Sequence, residues 1–115
     1  MRENEPLYVI SVAARLLELH PQTLRKYERE GFVSPSRTSG NLRLYSAEDL
    51  ERLRQVKYLV EERGVNLAGV QMAMNLTARL KRVRQQAAQI SRRNEGRLDP
   101  LVDEIDDLLH MLGAE

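Results

Sequence analysis

The chain has 115 residues, a formal net charge of +1 and no cysteine. This length suits one domain, or one small domain with an extension, and the lack of cysteine excludes disulfides, thiolate metal ligands and a cysteine nucleophile. Two histidines far apart in sequence do not predict a metal site, no cofactor is predicted, and no apolar run is long enough to span a membrane. Aromatic residues are few and leucine, valine and alanine abundant, so we expect a mainly helical, cytoplasmic protein.

The first predicted elements are a short strand and a short helix. The apolar run at Leu7–Ile10 is too brief for a helix and favours an extended segment. Ser11 is predicted to cap a helix from Val12 to Glu18, because its hydroxyl can accept a hydrogen bond from a free N–H of the first turn. The predicted buried stripe of this helix is Val12, Ala13, Leu16 and Leu17. A second helix follows after about three or four residues, which is helix-turn-helix spacing.

The second predicted helix begins at Pro21 and ends before Gly31. Proline fits the first helical position, where its missing N–H costs nothing, and His20 is predicted to be a capping or turn residue. Glutamine and arginine match base edges in a major groove, while lysine, arginine, threonine and tyrosine reach phosphates. The pattern therefore favours double-stranded DNA as the partner. The candidate contacts are Pro21, Gln22, Thr23, Arg25, Lys26 and Tyr27, although the position of Tyr27 beside Leu24 favours packing in the core.

Residues 37–45 predict a β-hairpin with a basic tip. The segment Thr38–Asn41 contains turn-forming residues, and apolar and polar residues alternate after it. Such a wing can lie over a neighbouring groove while its arginines meet backbone phosphates. The candidate DNA contacts of the wing are Arg37, Asn41, Arg43 and Tyr45.

The next predicted helices lead into a coiled-coil seam. Ser46 and Asp49 have the spacing of a capping box that opens a third helix, Gly64 is predicted to end it, and Asn66 to cap a fourth. From Leu76 onward, apolar residues recur at steps of four and three, the repeat of a coiled coil. The seam lasts only about two heptads, so it needs the domain or a second copy of the chain for support. The candidate dimerisation residues are Leu76, Leu80, Val83, Ala87 and Ile90.

Charge divides the C-terminal part of the chain. Residues 71–97 carry seven basic side chains and one acidic one, whereas residues 98–115 carry six acidic side chains and no lysine or arginine. A last helix is predicted with Asp99 as its cap, Pro100 in its first position and Gly113 at its end. Its predicted apolar stripe is Leu101, Val102, Ile105, Leu108, Leu109 and Leu112.

These patterns predict three segments. Residues 1–75 form a winged helix-turn-helix DNA-binding domain with a small β wing, and residues 76–96 form a coiled-coil dimerisation helix. Residues 97–115 form an acidic amphipathic tail helix, which is a candidate regulatory or docking element. The expected fold class is therefore mainly α.

Three spaced blocks resemble a known family. They are Ser11–Ala13, Thr23–Gly31 and Arg43–Leu50, and in order and spacing they resemble the DNA-binding domain of MerR-type bacterial transcription regulators. Over residues 7–76, the stretches Y-V-I-S-V-A-A, H-P-Q-T-L-R-K-Y-E and G-V-N-L-A-G-V look most like the heat-shock repressor branch, HspR. The resemblance implies a winged helix-turn-helix and a homodimer joined by an antiparallel coiled coil, with helix 21–30 in the major groove and wing 37–45 on the flanking backbone.

The resemblance also implies a function. HspR-like proteins are sequence-specific repressors of heat-shock and chaperone genes that bind an inverted repeat, with a DnaK-type chaperone as co-repressor. A nucleoid-associated, cytoplasmic protein is then expected. Two stretches depart from the commoner family pattern: Lys26-Tyr27 stands where many members have two tyrosines, and Gly40–Leu42 replaces a Gly-Tyr-Arg form. Metal-sensing members use cysteines, which this chain lacks, so the resemblance does not imply metal sensing.

Several alternatives stay open at this point. The chain could be a MerR-like regulator of another stimulus, an architectural or excisionase-like DNA-binding protein, or an interaction module whose coiled coil and tail bind a protein. Arg25 could pair with Glu28 on a solvated helix face, and the basic run at residues 79–84 could extend the DNA footprint or flank the coiled coil in solvent. An enzyme is not predicted, because no nucleophile with a base, paired carboxylates or glycine-rich phosphate loop is evident.

Overall fold

The computed structural model describes residues 3–114 of the chain. These residues form five α-helices and a three-stranded antiparallel sheet. The predicted segments 1–75 and 97–115 include Met1, Arg2 and Glu115, which lie outside the described residues. The chain divides after Tyr58 into two units. No helix in the described range combines the length and apolar character needed to cross a membrane.

The first unit contains the small sheet, whose strand order is β1–β3–β2. The strands are β1 (Pro6–Val9), β2 (Ser36–Arg37) and β3 (Arg43–Ser46). The central strand β3 pairs antiparallel with both neighbours, and Arg43 lies directly opposite Arg37 of β2. The predicted extended segment near Leu7–Ile10 and the predicted hairpin are therefore present.

Three helices complete the first unit: α1 (Ile10–Leu17), α2 (Pro21–Arg29) and α3 (Ala47–Lys57). Helix α1 contacts α2 and α3, and its buried Ala13 and Ala14 permit the close approach that a helix-turn-helix needs. The loop connecting α1 to α2 has only three residues, 18–20. The unit is a winged helix-turn-helix, which confirms the predicted fold class.

The predicted start of α1 is wrong by two residues. The last residue of β1, Val9, occupies the N-cap position with extended backbone, and no side chain among the described residues caps the helix. The chain thus passes directly from the paired strand into the helix, and Ser11 lies exposed within α1 instead of capping it. Leu16 is exposed as well, and Ala14 takes its predicted place in the buried stripe.

The cap of α3 is the predicted capping box. The Ser46 hydroxyl accepts a hydrogen bond from the Asp49 N–H at 3.0 Å, and the Asp49 carboxylate accepts one from the Ser46 N–H at 2.9 Å. The helix continues into a π-helical turn at Tyr58–Glu62. Gly64 follows with φ of +65°, a left-handed conformation that glycine adopts without strain.

The second unit is a helical hairpin of α4 (Leu67–Arg93) and α5 (Asp99–Met111). The Asn66 side chain caps α4 as predicted, accepting a hydrogen bond from the Gly69 N–H at 2.8 Å. Helix α4 is continuous over 27 residues, so the predicted boundary between residues 75 and 76 falls inside it. The helix ends at Arg93, three residues before the predicted end of the coiled-coil segment at residue 96.

Helix α5 packs antiparallel on α4 of the same chain. Its buried Val102, Ile105 and Leu109 form a core with Ala87 of α4, and Leu80 packs against that core. Of the predicted stripe, Leu101 and Leu108 stay exposed. The predicted cap is also wrong: Leu98 occupies the N-cap position, because the Asp99 carboxylate is turned back to accept a hydrogen bond from Ser91.

Candidate nucleic-acid interface

The N-terminal end of α2 is held by its cap. His20 has extended backbone, and its Nδ1 atom accepts a hydrogen bond from the Gln22 N–H at 3.1 Å. Pro21 occupies the first turn, as the sequence predicts. Because the cap and the proline fix where the helix begins, the side chains of the first turn project from a defined position.

The outward side of α2 carries the predicted donors. Gln22 and Lys26 are exposed, Thr23 and Arg25 are partly exposed, and Arg29 extends the same surface. Arg25 donates a hydrogen bond to the Gln22 side-chain oxygen at 3.3 Å. These two side chains are one helical turn apart, so they present amide and guanidinium donors together.

Tyr27 and Tyr45 were predicted as DNA contacts, but the structure places both in the core. Tyr27 is buried, with its ring centroid 5.9 Å from that of Phe32. Tyr45 is fully buried in the central strand of the sheet, and this burial raises the pKa of its phenol. For Tyr27, the core position suggested by its neighbour Leu24 is the one observed. Neither ring reaches the surface that carries Gln22 and Arg25.

The tip of the wing is an ordered turn. Thr38 pairs with Leu42 through the bond from the Thr38 N–H to the Leu42 carbonyl at 2.9 Å, and its hydroxyl accepts the Leu42 N–H at 3.1 Å. Asn41 adopts φ of +65° at this turn and its side chain is exposed, consistent with the tolerance of asparagine for the left-handed region. The predicted contacts Arg37 and Asn41 are therefore exposed, and Arg43 is partly so.

Glu28 connects the wing to α2. Its carboxylate accepts a hydrogen bond from Arg43 Nε at 2.6 Å and another from Arg37 Nη2 at 2.9 Å. Partial burial raises the pKa of Glu28, but the hydrogen bonds and charges of Arg43 and Arg37 outweigh that effect and hold the pKa below its usual value. The sequence reasoning assigned no role in the wing to this residue and considered only a pair with Arg25. The available signal was an acid on the second helix and two arginines in the hairpin.

Two other basic side chains of the first unit bind main-chain carbonyls. Arg52 Nε donates to the Phe32 carbonyl at 3.1 Å, and Lys57 Nζ donates to the Leu17 carbonyl at 2.8 Å. Lys57 thereby satisfies an orphan carbonyl at the C-terminal end of α1. Both residues hold helices of the motif in place.

The five residues of the predicted dimerisation seam lie on two sides of α4, one exposed to solvent and one facing α5. Leu76, Val83 and Ile90, spaced at seven residues, are 46–48% exposed. Leu80 and Ala87 instead pack against α5, so the intramolecular helix covers positions assigned to a partner chain. Three of the five residues of the predicted seam are therefore exposed in the described chain.

An ion pair joins the basic and acidic stretches of the second unit. Arg84 of α4 donates hydrogen bonds through Nε and Nη2 to the two carboxylate oxygens of Asp106 on α5. The Arg84 guanidinium lowers the pKa of Asp106. Arg79, Lys81 and Arg82 are exposed, as in the reading of this run as a solvated flank.

A sequence model of the MerR HTH family regulatory proteins matches residues 8–77. This range covers the helix-turn-helix, the wing, α3 and the beginning of α4. The match therefore includes every candidate DNA contact on α2 and the wing.

Several known proteins are similar to the chain over most of its length. A Streptomyces coelicolor protein provisionally named heat shock protein HspR is 48% identical over 96 residues, which are 84% of this chain and 64% of that protein. The HTH-type transcriptional regulator GlnR of Bacillus anthracis is 35% identical over 95 residues, 79% of this chain and 72% of GlnR. A ZntR homolog of Haemophilus influenzae is 31% identical over 105 residues. The chain thus spans less than two thirds of the HspR relative.

Proposed function

Because the chain belongs to the MerR family of helix-turn-helix regulatory proteins, as its sequence blocks predict, we propose that it represses heat-shock and chaperone genes as a homodimer. Each dimer binds an inverted repeat, and a DnaK-type chaperone acts as co-repressor. The similarity to the Streptomyces protein named for HspR supports the heat-shock assignment. MerR-family proteins bind DNA and act as dimers.

The observation that carries the proposal is the exposed donor surface of α2 beside the wing. In this arrangement α2 enters the major groove, where Gln22 and Arg25 read base edges and Thr23 and Lys26 contact phosphates. Pro21 lies at the end of α2 that enters first. The wing rests on the flanking backbone through Arg37, Asn41 and Arg43. The buried Tyr27 and Tyr45 support this surface from below and do not contact DNA.

The exposed heptad residues of α4 supply the proposed dimer contact. Leu76, Val83 and Ile90 are large apolar side chains at seven-residue spacing, which is the repeat that a coiled coil buries. Leu80 and Ala87 contribute indirectly, by fixing α5 against α4. A dimer presents two α2 helices to two half-sites, and tethering the second half-site raises the affinity for the whole operator.

The outer side of α5 is the proposed docking site of the chaperone. It carries exposed Leu101 and Leu108 beside exposed Asp103, Glu104 and Asp107. A surface that mixes apolar and acidic side chains can be recognised by a partner with an apolar, basic groove.

Selection of bound fragments from random duplex DNA, with and without a DnaK-type chaperone, tests the proposal. We expect an inverted repeat to be enriched, the chaperone to tighten its binding, and matching sites to lie upstream of chaperone genes. Enrichment of no sequence would contradict a sequence-specific regulator and would favour an architectural DNA-binding protein, whose specific-to-nonspecific ratio is small.

A regulator of another stimulus is the second candidate. The similarity to GlnR over 72% of that protein favours this candidate. It indicates that a similar DNA-binding unit occurs in a regulator that is not named for heat shock. Enriched sites that lie away from chaperone genes, together with binding that the chaperone leaves unchanged, would favour this candidate.

A further inference from the structure

The wing places two like charges directly opposite each other. Arg37 and Arg43 are cross-strand partners in the antiparallel pair of β2 and β3, a position where like charges repel and destabilise the pairing. The Glu28 carboxylate lies between them and accepts from both guanidinium groups. It therefore offsets the repulsion within the hairpin and joins the hairpin to α2 in the same contact.

The Glu28–Arg43 ion pair is better shielded from solvent than the Glu51–Arg54 pair of α3, whose side chains are 70% and 51% exposed. The side chains of Glu28 and Arg43 are 23% and 25% exposed, and Arg37 also donates to the Asn41 carbonyl at 3.3 Å. This second bond ties the ion pair to the turn at the wing tip. A shift of Glu28 would thus be transmitted to the whole wing.

On the basis of the proposed DNA-binding function, we infer that Glu28 is a positioning residue that sets the direction of the wing relative to α2 and restrains Arg37 and Arg43 from binding phosphates of unrelated DNA. An arginine carries five N–H donors, and Arg43 gives only its Nε to Glu28. The other N–H groups of Arg43 thus remain available to a phosphate, provided that the phosphate lies within reach of the wing in its fixed position. DNA whose backbone does not fit gains less, because the two arginines do not swing out to reach it.

The contribution of Glu28 is measurable because it affects two affinities in opposite directions. It should raise the affinity for the specific DNA sequence and lower the affinity for unrelated DNA. Removing its charge frees two guanidinium groups that can then contact phosphates of any sequence. Each additional phosphate contact steepens the dependence of log affinity on log salt concentration by about 0.9. A residue that only stabilised the fold would instead weaken binding to both kinds of DNA when replaced.

The test compares Glu28→Gln with Glu51→Gln in the full chain. Glu51 is a matched control, because its carboxylate also accepts a hydrogen bond in an ion pair with an arginine, Arg54 on α3. Its replacement by glutamine changes the net charge by the same amount. The probes are the duplex selected by the unmodified protein from a random library and a scrambled duplex of equal length and composition. Affinity is measured by fluorescence anisotropy over a series of salt concentrations.

We expect Glu28→Gln to bind the scrambled duplex at least threefold more tightly than the unmodified protein does. The ratio of its affinity for the selected duplex to its affinity for the scrambled duplex should fall at least fivefold. The slope of log affinity against log salt concentration, measured on the scrambled duplex, should steepen by about 0.9 or more. Glu51→Gln should change none of these by as much as twofold. The double variant Glu28→Gln/Arg43→Gln should return the affinity for scrambled DNA toward that of the unmodified protein, because one freed cation is removed.

Equal behaviour of Glu28→Gln and Glu51→Gln would overturn the inference, as would parallel weakening on both duplexes with an unchanged salt slope. Circular dichroism checks that the variants fold. If Glu28→Gln does not fold, Glu28→Asp gives the answer, since its shorter carboxylate cannot span both arginines and should lower the ratio in the same direction. Failure of the unmodified protein to enrich any duplex would count against the proposed function itself, which is a different result.

Discussion

The buried hydroxyl of Ser91 donates a hydrogen bond to the Asp99 carboxylate at 2.7 Å. The same oxygen accepts the Leu98 N–H at 3.0 Å, so one side chain serves the last turn of α4 and the beginning of α5. Ser91→Ala leaves the part-buried Leu98 N–H and the Asp99 carboxylate without these hydrogen bonds, and we expect it to lower the free energy of unfolding by about 1–3 kcal/mol. Urea unfolding measures this change. Ser11→Ala, at an exposed position in α1, is the control and should change stability by less than about 0.5 kcal/mol. Equal effects of the two substitutions would show that the Ser91 contact is unimportant.

Arg25→Ala should reduce the preference of the protein for its selected DNA sequence. If Arg25 makes a bidentate contact to a guanine, the variant loses about 1–3 kcal/mol on the selected duplex and little on a scrambled one. Arg54→Ala removes an equal charge from α3 and serves as the control in the same anisotropy titration. An Arg25→Ala variant that loses affinity equally on both duplexes would indicate a phosphate contact instead.

Val83→Glu should separate the two protomers without unfolding either. Val83 is 48% exposed, so a charge there is tolerated in a monomer but is buried at the proposed coiled-coil contact. We expect the mass from sedimentation equilibrium to fall to that of one chain, and the operator affinity to fall about a hundredfold. Gln85→Glu adds the same charge on another side of α4 and should leave the mass unchanged. A dimeric Val83→Glu variant would exclude this side of α4 as the contact.

The ion pairs of Glu28 predict a dependence of stability on pH. The pKa of Glu28 lies below the ordinary value of 4.5, so the folded state favours the charged carboxylate. Its stabilisation is fully present above about pH 4.5 and is lost as the pH falls through the lowered pKa. Carbon-13 NMR of the side-chain carboxyl can follow the titration. Arg43→Gln should raise the pKa of Glu28, whereas Arg54→Gln should not; a Glu28 carboxyl that titrates at or above 4.5 in the unmodified protein would contradict the prediction.

Local patterns predicted the boundaries well where a helix end depends on its own side chains. The capping box of Ser46 and Asp49 and the Asn66 cap are examples, because each bond joins residues three apart in sequence. The same reasoning failed at Ser11 and Asp99. At those positions strand pairing up to Val9 and the buried Ser91 hydroxyl decide where the helix begins, and neither is visible in a local window.

Only the part of the candidate site that depends on local sequence patterns was predicted. Donors on α2 follow from helical periodicity, which is why Gln22 and Arg25 are found on its outward side. The burial of Tyr45 depends on the position of β3 in the middle of the sheet, and an alternating strand pattern does not say which side faces the core. The coiled-coil repeat likewise could not show that α5 of the same chain, not a partner, covers Leu80 and Ala87.

The mass of the protein–DNA complex tests most directly whether two protomers read two half-sites. Sedimentation of the selected duplex with excess protein should give two chains per duplex, and scrambling one half-site should reduce the affinity about a hundredfold. One chain per duplex, with an affinity that does not change when the second half-site is scrambled, would contradict a dimeric regulator.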